Sequence, residues 1–360
     1  MPRRTHLVGA WPGRGPEHAM TTALDRLAPH LDRLSDGETG DRSLWVAPAM
    51  EKFRADPDVE LVHDGDWSDY DRVAQWRVRD GATLDPGNIR LHYALAFENS
   101  YPSFVVLRER YDRPDLRFQV GIPAPLDLAV YSFGEVAFAD ATIMDACTAA
   151  TAREIETIFV RAGDDVVFQL ETVVGLVAIA QAQGDEQPAV AARMAATLHD
   201  LAARVPAGAR FGAHLCLGDF HHKAYGPMHD ARPLVLLANA LAAGWPDGRT
   251  LDYVHAPFAA ASEPPIADER FYAPLAELDL PAATRFIAGF IHESLDLDAH
   301  GALLERIERL AGREVDVAAA CGLGRRPEPD QAWDAMSKAV ALVTSARPPR
   351  AGLVHNGAAS

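Results

Sequence analysis

Short apolar runs alternate with longer helical patterns over most of the 360-residue chain, and this alternation restricts the possible fold more than any other feature. Eight runs have the length and apolar content of β-strands: residues 6–11, 30–38, 117–123, 165–171, 210–218, 251–257, 285–291 and 315–324. Apolar residues recur with helical spacing at 16–31, 140–162, 188–205, 231–244, 299–312 and 330–346. Strands that alternate with helices form parallel sheets, and eight such units predict a single closed (β/α)8 TIM barrel.

One segment interrupts the alternation. Residues 51–116, between the second and third predicted strands, are too many for an ordinary barrel loop, and they are acidic and rich in aromatic side chains. We expect an insertion that folds over the mouth of the barrel; a peripheral subdomain or a dimer contact is an equally good interpretation. The barrel with this insertion is predicted to cover residues 1–345. Residues 346–360 contain Pro, Gly and Ser without apolar periodicity, which predicts a loose C-terminal tail.

The charge balance argues against several kinds of partner. A net charge of −17 disfavours binding to nucleic acid or to an anionic membrane, because both require a basic surface. No apolar run is long enough to span a bilayer, and the N-terminus lacks the apolar stretch of a signal peptide. Three cysteines in a chain of this length do not make a disulfide framework. We therefore predict a cytoplasmic protein that acts on small molecules, as a monomer or a homodimer.

Two cysteines and one histidine stand near the ends of predicted strands. His214 and Cys216 are alternate residues of the fifth strand and so share one of its faces, and Cys321 lies near the end of the eighth. The C-terminal ends of barrel strands meet at one face, where barrel active sites lie. Imidazole and thiolate together select zinc. The sequence therefore predicts a Zn²⁺ site with an open position, whereas Cys147, inside a helical pattern, is expected to be core.

Seven short motifs, taken in order along the chain, resemble those of the cobalamin-independent methionine synthase family, within the wider superfamily that includes uroporphyrinogen decarboxylase. HLC at 214–216, followed far downstream by ACGLGRR at 320–326, carries the resemblance most directly. The other matching segments are GAWP at 9–12, GETGDR at 37–42, GIPAP at 121–125, FQLE at 168–171 and HES at 292–294. Full-length synthases of the family have a second, N-terminal barrel, and this chain resembles only their C-terminal catalytic barrel.

The resemblance implies a set of zinc ligands. In the family, a zinc ion held by His, two Cys and Glu binds a thiol substrate, so His214, Cys216 and Cys321 would be three of the ligands here. The chain departs from the family where the glutamate should follow the sixth strand. His255 or Glu263 could supply the fourth ligand at that place, or the site could be three-coordinate with water until the substrate arrives.

The resemblance also implies which residues bind the substrate. Glu38 and Glu171 match acidic positions that hold its amino group, and the backbone around Gly9 and Ala10 would meet its carboxylate. His292 matches the catalytic acid that protonates the leaving amine of the methyl donor. The two glutamates and the histidine could also have purely structural roles. A glutamate at a strand end can cap a neighbouring helix, and a histidine in a loop can bond to the backbone.

The predicted activity is zinc-dependent methyl or alkyl transfer to a homocysteine-like thiol, as in methionine biosynthesis. Because the second barrel is missing, the donor stays open between a folate-like pterin, a corrinoid-borne methyl group and another alkyl donor. Three alternatives use the same barrel: a hydrolase in which zinc activates water, a porphyrinogen-type decarboxylase, and a non-catalytic zinc- or ligand-binding barrel. Thiolate ligands make zinc less electrophilic, which favours a thiol substrate over water.

Overall fold

Ten β-strands are present in the computed structural model, which describes residues 2–345. Their bounds are β1 Thr5–His6, β2 Arg33–Leu34, β3 Val59–His63, β4 Gln75–Val78, β5 Arg117–Pro123, β6 Val166–Thr172, β7 Arg210–Leu215, β8 Thr250–Pro257, β9 Arg285–Ile291 and β10 Asp316–Ala319. Eight of them form one parallel sheet in the order β1-β10-β9-β8-β7-β6-β5-β2. All eight predicted strand positions are confirmed, although β1 and β2 are only two residues long. The predicted tail, residues 346–360, lies outside the described residues.

The sheet curls into a nearly closed barrel whose remaining seam lies between β1 and β2. The backbone amide of Trp11 donates to the Gly37 carbonyl over 3.2 Å, and the Ser35 hydroxyl donates to the Gly9 carbonyl over 3.3 Å. These bonds join the segments that follow β1 and β2, so the seam is bridged next to the C-terminal mouth. The predicted (β/α)8 TIM barrel is confirmed.

Helices surround the sheet. Their bounds are α1 Pro16–Leu27, α2 Ala47–Met50, α3 Tyr93–Arg110, α4 Pro125–Phe133, α5 Ala141–Ala162, α6 Val174–Gln181, α7 Gln187–Arg204, α8 Arg232–Ala243, α9 Glu269–Tyr272, α10 Leu297–Ala311 and α11 Pro329–Thr344. The six helical patterns of the sequence correspond to α1, α5, α7, α8, α10 and α11. Sequence analysis missed α4 and α6 because these short helices are largely apolar and buried, so neither shows a clear polar face. Within residues 2–345, every helix is too short or too polar to cross a membrane.

The segment 51–116 has two structurally different parts. β3 and β4 pair antiparallel as a hairpin outside the barrel sheet. The later part contains α3, which packs on α1, α5 and β5 and so occupies the place of an ordinary barrel helix. The insertion proper therefore ends before Tyr93, earlier than the predicted boundary. The helix α3 was not predicted from the sequence, because Pro102 lies inside it and a proline interrupts the usual helical pattern.

The interior of the barrel contains a polar layer below the mouth. Gln169 Oε1 accepts a hydrogen bond from the Tyr253 hydroxyl at 3.0 Å and lies 3.0 Å from His6 Nε2. The Gln169 amide nitrogen donates to Glu171 Oε1 at 2.7 Å. All four side chains are buried. A continuous hydrogen-bonded chain thus runs through the interior to Glu171 and fixes the orientation of its carboxyl group.

Replacing Gly212 with alanine is expected to destabilise the barrel. Gly212 in β7 lies against the Tyr253 ring, and a Cβ atom there would come 2.0 Å from Tyr253 Cζ. Overpacking of this kind lowers the free energy of unfolding by roughly 1–3 kcal/mol or more. Urea denaturation monitored by circular dichroism measures the change.

The matched control is Gly301→Ala in α10. A Cβ atom at Gly301 would meet nothing within 4 Å, so this change should raise the free energy of unfolding by about 0.5–1 kcal/mol. A Gly212→Ala variant as stable as the wild type would contradict the packing around Tyr253.

Candidate metal centre and substrate cavity

His214, Cys216 and Cys321 come together at the C-terminal mouth of the barrel. His214 is the fifth residue of β7, Cys216 follows that strand directly, and Cys321 lies two residues beyond β10. One possible ligand atom of each residue lies within 4.8 Å of the other two, and the two Sγ atoms are 3.7 Å apart. Within residues 2–345, this is the single group of at least three His, Cys, Asp or Glu side chains so arranged. The structure therefore brings the three predicted ligands to one place.

His214 uses one ring nitrogen for a hydrogen bond and leaves the other free. Its Nδ1 lies 2.7 Å from Nδ1 of His255. Its Nε2 is buried and has no hydrogen-bond partner among the described residues. Such a buried nitrogen is costly to leave unbonded, and it is the nitrogen of His214 that remains available to a borderline metal ion such as zinc.

Neither residue expected as a fourth ligand joins the group. His255 is the direct neighbour of His214 in the β7–β8 ladder, but its second nitrogen, Nε2, lies 3.0 Å from the Ala319 carbonyl. Burial and the adjacent His214 ring hold the pKa of His255 well below its usual range, so the ring is neutral. Glu263 is exposed and its backbone forms a turn with Ala260. A metal ion held here would have three protein ligands from the described part of the chain.

The two thiols differ in their affinity for a proton. The hydrogen bond from Cys216 holds the pKa of Cys321 well below its usual range, and the nearby Arg325 guanidinium acts in the same direction. That shared proton, together with burial, raises the pKa of Cys216. Arg325 Nη2 lies 3.2 Å from Cys321 Sγ, and the Gly218 amide donates to Cys216 Sγ over 3.3 Å. Each sulfur therefore has a donor that stabilises negative charge on it.

Two acidic side chains lie next to each other in the same region. Glu38 follows β2, and Glu171 is the sixth residue of β6. A Cβ atom at Gly121 would lie 2.4 Å from Glu38 Oε1 and 2.9 Å from Glu171 Oε1, so both carboxyl groups crowd this glycine. Burial raises the pKa of Glu38 to about 7, while burial and the adjacent Glu38 raise the pKa of Glu171 well above its usual range. A cationic group placed between them would stabilise both carboxylates.

The loop after β1 brings backbone atoms to the same region. A Cβ atom at Gly9 would lie 2.7 Å from Glu38 Oε2, so a side chain at this position would displace the carboxyl group. The Ala10 carbonyl accepts hydrogen bonds from the amides of Leu323 at 2.6 Å and Gly324 at 2.9 Å. This loop is therefore joined to the loop after β10, which carries a predicted ligand.

These groups line one cavity of about 720 Å³, a volume that includes its opening to solvent. Aromatic side chains form much of its wall: Trp45, Trp67, Tyr70, Tyr131 and Phe220. Trp67 and Tyr70 belong to the loop between β3 and β4, so this part of the insertion covers the mouth. The Tyr70 hydroxyl donates to the Lys223 carbonyl and accepts from the Phe220 amide, each at 2.9 Å. The inserted loop is thereby tied to the segment after β7.

A buried charge network joins the loops around this mouth. His222 Nδ1 lies 3.4 Å from Asp219 Oδ1, and its Nε2 lies 3.2 Å from Glu293 Oε1. These two carboxylates raise the pKa of His222 to about 9. Arg326 Nη1 lies 3.4 Å from Asp219 Oδ2. The segments after β7, β9 and β10 are therefore held together by alternating charges.

His292 lies in the loop after β9, and it is not one of the residues that line the cavity. Its Nδ1 lies 2.8 Å from the Ser294 hydroxyl, and its Nε2 lies 3.3 Å from the Ala261 carbonyl. Burial lowers the pKa of His292 below its usual value. The structure does not place this side chain beside the three ligands, and its role as a catalytic acid stays a prediction.

Two contacts of the site, one made by Arg325 and one by His255, could not be predicted from the sequence. Arg325 stands four residues after Cys321, but only the conformation of the loop after β10 shows that the two side chains touch. The pairing of His255 with His214 depends on the register of β7 against β8, which the two separate strand sequences do not reveal. The one available signal for this pair was the presence of a histidine in each of two apolar strands.

Comparison with known proteins finds similarity in structure rather than in sequence. The sequence matches no protein-family model and no curated protein. A candidate vitamin B12-independent methionine synthase from Listeria monocytogenes has a TM-score of 0.57 and 13% identity, with 95% of this chain and 97% of that chain covered. A B12-independent methionine synthase from Shewanella sp. W3-18-1, in complex with selenomethionine, has a TM-score of 0.56 and 11% identity over 95% and 97% of the two chains.

A third similar structure is a methyltransferase from Methanosarcina mazei, with a TM-score of 0.54, 12% identity and coverage of 95% of this chain and 94% of that chain. The three likenesses extend over nearly the whole of each chain. At such low identity they show that the barrel fold is shared.

The raised pKa of Glu38 predicts a pH-dependent effect of Glu38→Gln on stability. The pKa is 4.5 in an ordinary environment and about 7 in the folded protein. Between these values the folded state binds more protons than the unfolded state, so wild-type stability falls as the pH rises. Glutamine does not ionise, so at about pH 8 the variant should be more stable than wild type by on the order of 1–3 kcal/mol.

This advantage should shrink as the pH falls towards 4.5, where the wild-type carboxyl group is protonated in the folded state and half protonated in the unfolded state. Urea denaturation across this pH range measures the difference. Glu305→Gln, on an exposed position of α10, is the control and should show no comparable pH dependence. An advantage of Glu38→Gln that is constant with pH would contradict the raised pKa.

Proposed function

We propose that this protein transfers a methyl or other small alkyl group to a thiol, with a zinc ion held by His214, Cys216 and Cys321. The observation that carries the proposal is the meeting of one imidazole nitrogen and two sulfurs within 4.8 Å beside a cavity. Similar structures named as methionine synthases and as a methyltransferase support the class of reaction.

The residues present fit zinc. Thiolate and imidazole are ligands that zinc prefers, and three protein ligands with an open position are typical of its catalytic sites. The buried, unbonded Nε2 of His214 is a further sign that an ion belongs here. When bound, zinc would lower the pKa of a substrate thiol so that it reacts as the thiolate. Arg325, beside Cys321, offsets part of the negative charge that accumulates on the sulfurs.

The acceptor we propose is a homocysteine-like amino acid thiol. Its ammonium group would bind between Glu38 and Glu171, whose raised pKa values would fall when a cation is placed beside them. Its carboxylate would meet the backbone around Gly9 and Ala10, which line the same cavity as the carboxyl groups and the sulfurs. One small molecule could thus contact all three groups at once.

The transfer is a displacement at the methyl carbon. The substrate thiol gives up its proton to solvent, its sulfur forms a bond to that carbon, the bond between the carbon and the donor breaks, and the electron pair of that bond stays with the donor. A folate-like donor then needs a proton on its leaving nitrogen, for which we propose His292 on the strength of the family resemblance. A corrinoid donor needs no such proton. Either donor would bind against the aromatic wall that includes Trp45 and Tyr131.

Zinc content and thiol alkylation test the proposal together. The purified protein should contain about one zinc ion per chain. S-methylation of homocysteine, followed by mass spectrometry, should occur with a methylated corrinoid or a methylated pterin supplied separately. Cys321→Ala should lose both zinc and activity. Cys147→Ala is the matched control, because Cys147 is buried in α5 and is not one of the residues that line the cavity.

The possible results separate the alternatives. Wild-type zinc content in Cys321→Ala would contradict the ligand set. Bound zinc with no thiol alkylation but with hydrolytic turnover would indicate a hydrolase in which zinc activates water. Bound zinc with no turnover of any substrate would indicate a non-catalytic zinc-binding barrel.

A further inference from the structure

We propose that His255 is a positioning residue, which holds the metal ligand His214 by accepting a hydrogen bond from its Nδ1–H. This inference rests on the zinc site proposed above and adds a residue that touches a ligand and not the metal. The contacts run from His214 Nδ1 to His255 Nδ1 at 2.7 Å, and from His255 Nε2 to the Ala319 carbonyl at 3.0 Å. His214 and His255 are both almost completely buried.

The backbone carbonyl sets the direction of the whole chain of hydrogen bonds. A carbonyl oxygen can only accept, so Nε2 of His255 carries the hydrogen. A neutral imidazole carries one hydrogen, which makes Nδ1 of His255 an acceptor. The hydrogen between the two rings must then belong to Nδ1 of His214. Nε2 of His214 is left with a free lone pair, and it is the buried nitrogen that has no hydrogen-bond partner in residues 2–345.

A glycine in the intervening strand leaves space for the contact between His255 and the Ala319 carbonyl. β9 lies between β8 and β10, so the His255 side chain must pass over β9 to reach Ala319. Gly289 of β9 is the residue beneath it. A Cβ atom at Gly289 would lie 2.6 Å from His255 Nε2 and 3.0 Å from the Ala319 carbonyl oxygen. Any side chain at this position would push the imidazole off its carbonyl, so glycine is required for steric reasons.

The choice of an imidazole as acceptor has an electrostatic consequence. Ligating histidines commonly donate their second N–H to a carboxylate or a carbonyl, which fixes the ring and its tautomer. A carboxylate here would place another negative charge beside Cys216 and Cys321. A neutral ring fixes the same tautomer without adding charge. His6 is the other imidazole near His255, at 5.7 Å between ring centroids, and it bonds to Gln169 and not to the ligand.

Metal affinity of designed variants tests the proposal. His255→Leu removes the acceptor and should weaken zinc binding by about 10–100-fold, measured by competition with a chromophoric chelator. His255→Asn places an amide oxygen near the position of Nδ1 and should recover most of this loss. Gly289→Ala should weaken binding in the same direction as His255→Leu. His199→Leu is the matched control, because His199 also bonds a backbone carbonyl, that of Leu241, but between α7 and α8.

A second readout reports the tautomer directly and uses the wild-type protein. In a ¹⁵N-histidine NMR spectrum of the zinc-loaded protein, His214 should carry a hydrogen on Nδ1 and bind the metal through Nε2. The reverse assignment would overturn the proposal even if His255→Leu failed to fold. The absorption bands of the Co²⁺-loaded protein should also shift in His255→Leu and return towards wild type in His255→Asn, which a purely structural role would not produce.

The results distinguish this inference from the function on which it rests. If the wild-type protein binds neither zinc nor cobalt, the metal site fails and the inference fails with it. If the wild type binds zinc and folded His255→Leu binds it as tightly as His199→Leu, the metal site stands and the positioning role is wrong. Loss of affinity in His255→Leu with recovery in His255→Asn supports both.

Discussion

The convergence of the C-terminal ends of β7 and β10 is the constraint on which the rest of the site depends. Cys216 and Cys321 are 105 residues apart in the chain, yet their sulfurs lie 3.7 Å apart. In the sheet, β10 and β7 are separated by β9 and β8, which corresponds to roughly 14 Å along a flat sheet at about 4.8 Å per strand. Only the curvature of a closed barrel lets side chains from these strands meet across its mouth.

The site is built from polar groups whose interactions within the protein are incomplete. Glu38 and Glu171 are buried beside each other with raised pKa values, and Nε2 of His214 is buried without a partner. Glu38 also has a backbone φ of 42°, in the left-handed region that non-glycine residues seldom adopt. Each of these features lowers the stability of the free protein, and a cation bound here would relieve the buried carboxyl groups and the unbonded nitrogen. Such a concentration of unmet interactions is characteristic of a functional site.

Much of the fold could be predicted because its signals are local. Parallel strands buried on both faces appear as continuous apolar runs, so all eight barrel strands could be predicted. Alternation along the run that contains β7 predicted that His214, in the strand, and Cys216, just after it, share one face. What could not be predicted depends on geometry between distant segments. Glu263 was a reasonable ligand by its distance along the chain from β8, but its turn with Ala260 leaves it exposed.

The family resemblance suggested more candidate residues than periodicity could. It suggested Glu38 and Glu171 as a pair, and the structure places them against the same glycine, Gly121. It also suggested His292, which the structure places against Ser294 and Ala261. Glu171 is within a strand, where backbone pairing fixes its direction, whereas Glu38 and His292 are in loops whose conformations the motifs do not specify.

The attachment of the inserted loop links access to coordination. Tyr70 covers the cavity and is hydrogen-bonded to the segment that contains Phe220 and Lys223, and that same segment begins at Gly218, whose amide donates to Cys216 Sγ. The same short segment therefore holds the aromatic cover and supports a candidate ligand sulfur. The cover of the cavity and the candidate ligand Cys216 are thus connected through the few residues that follow β7.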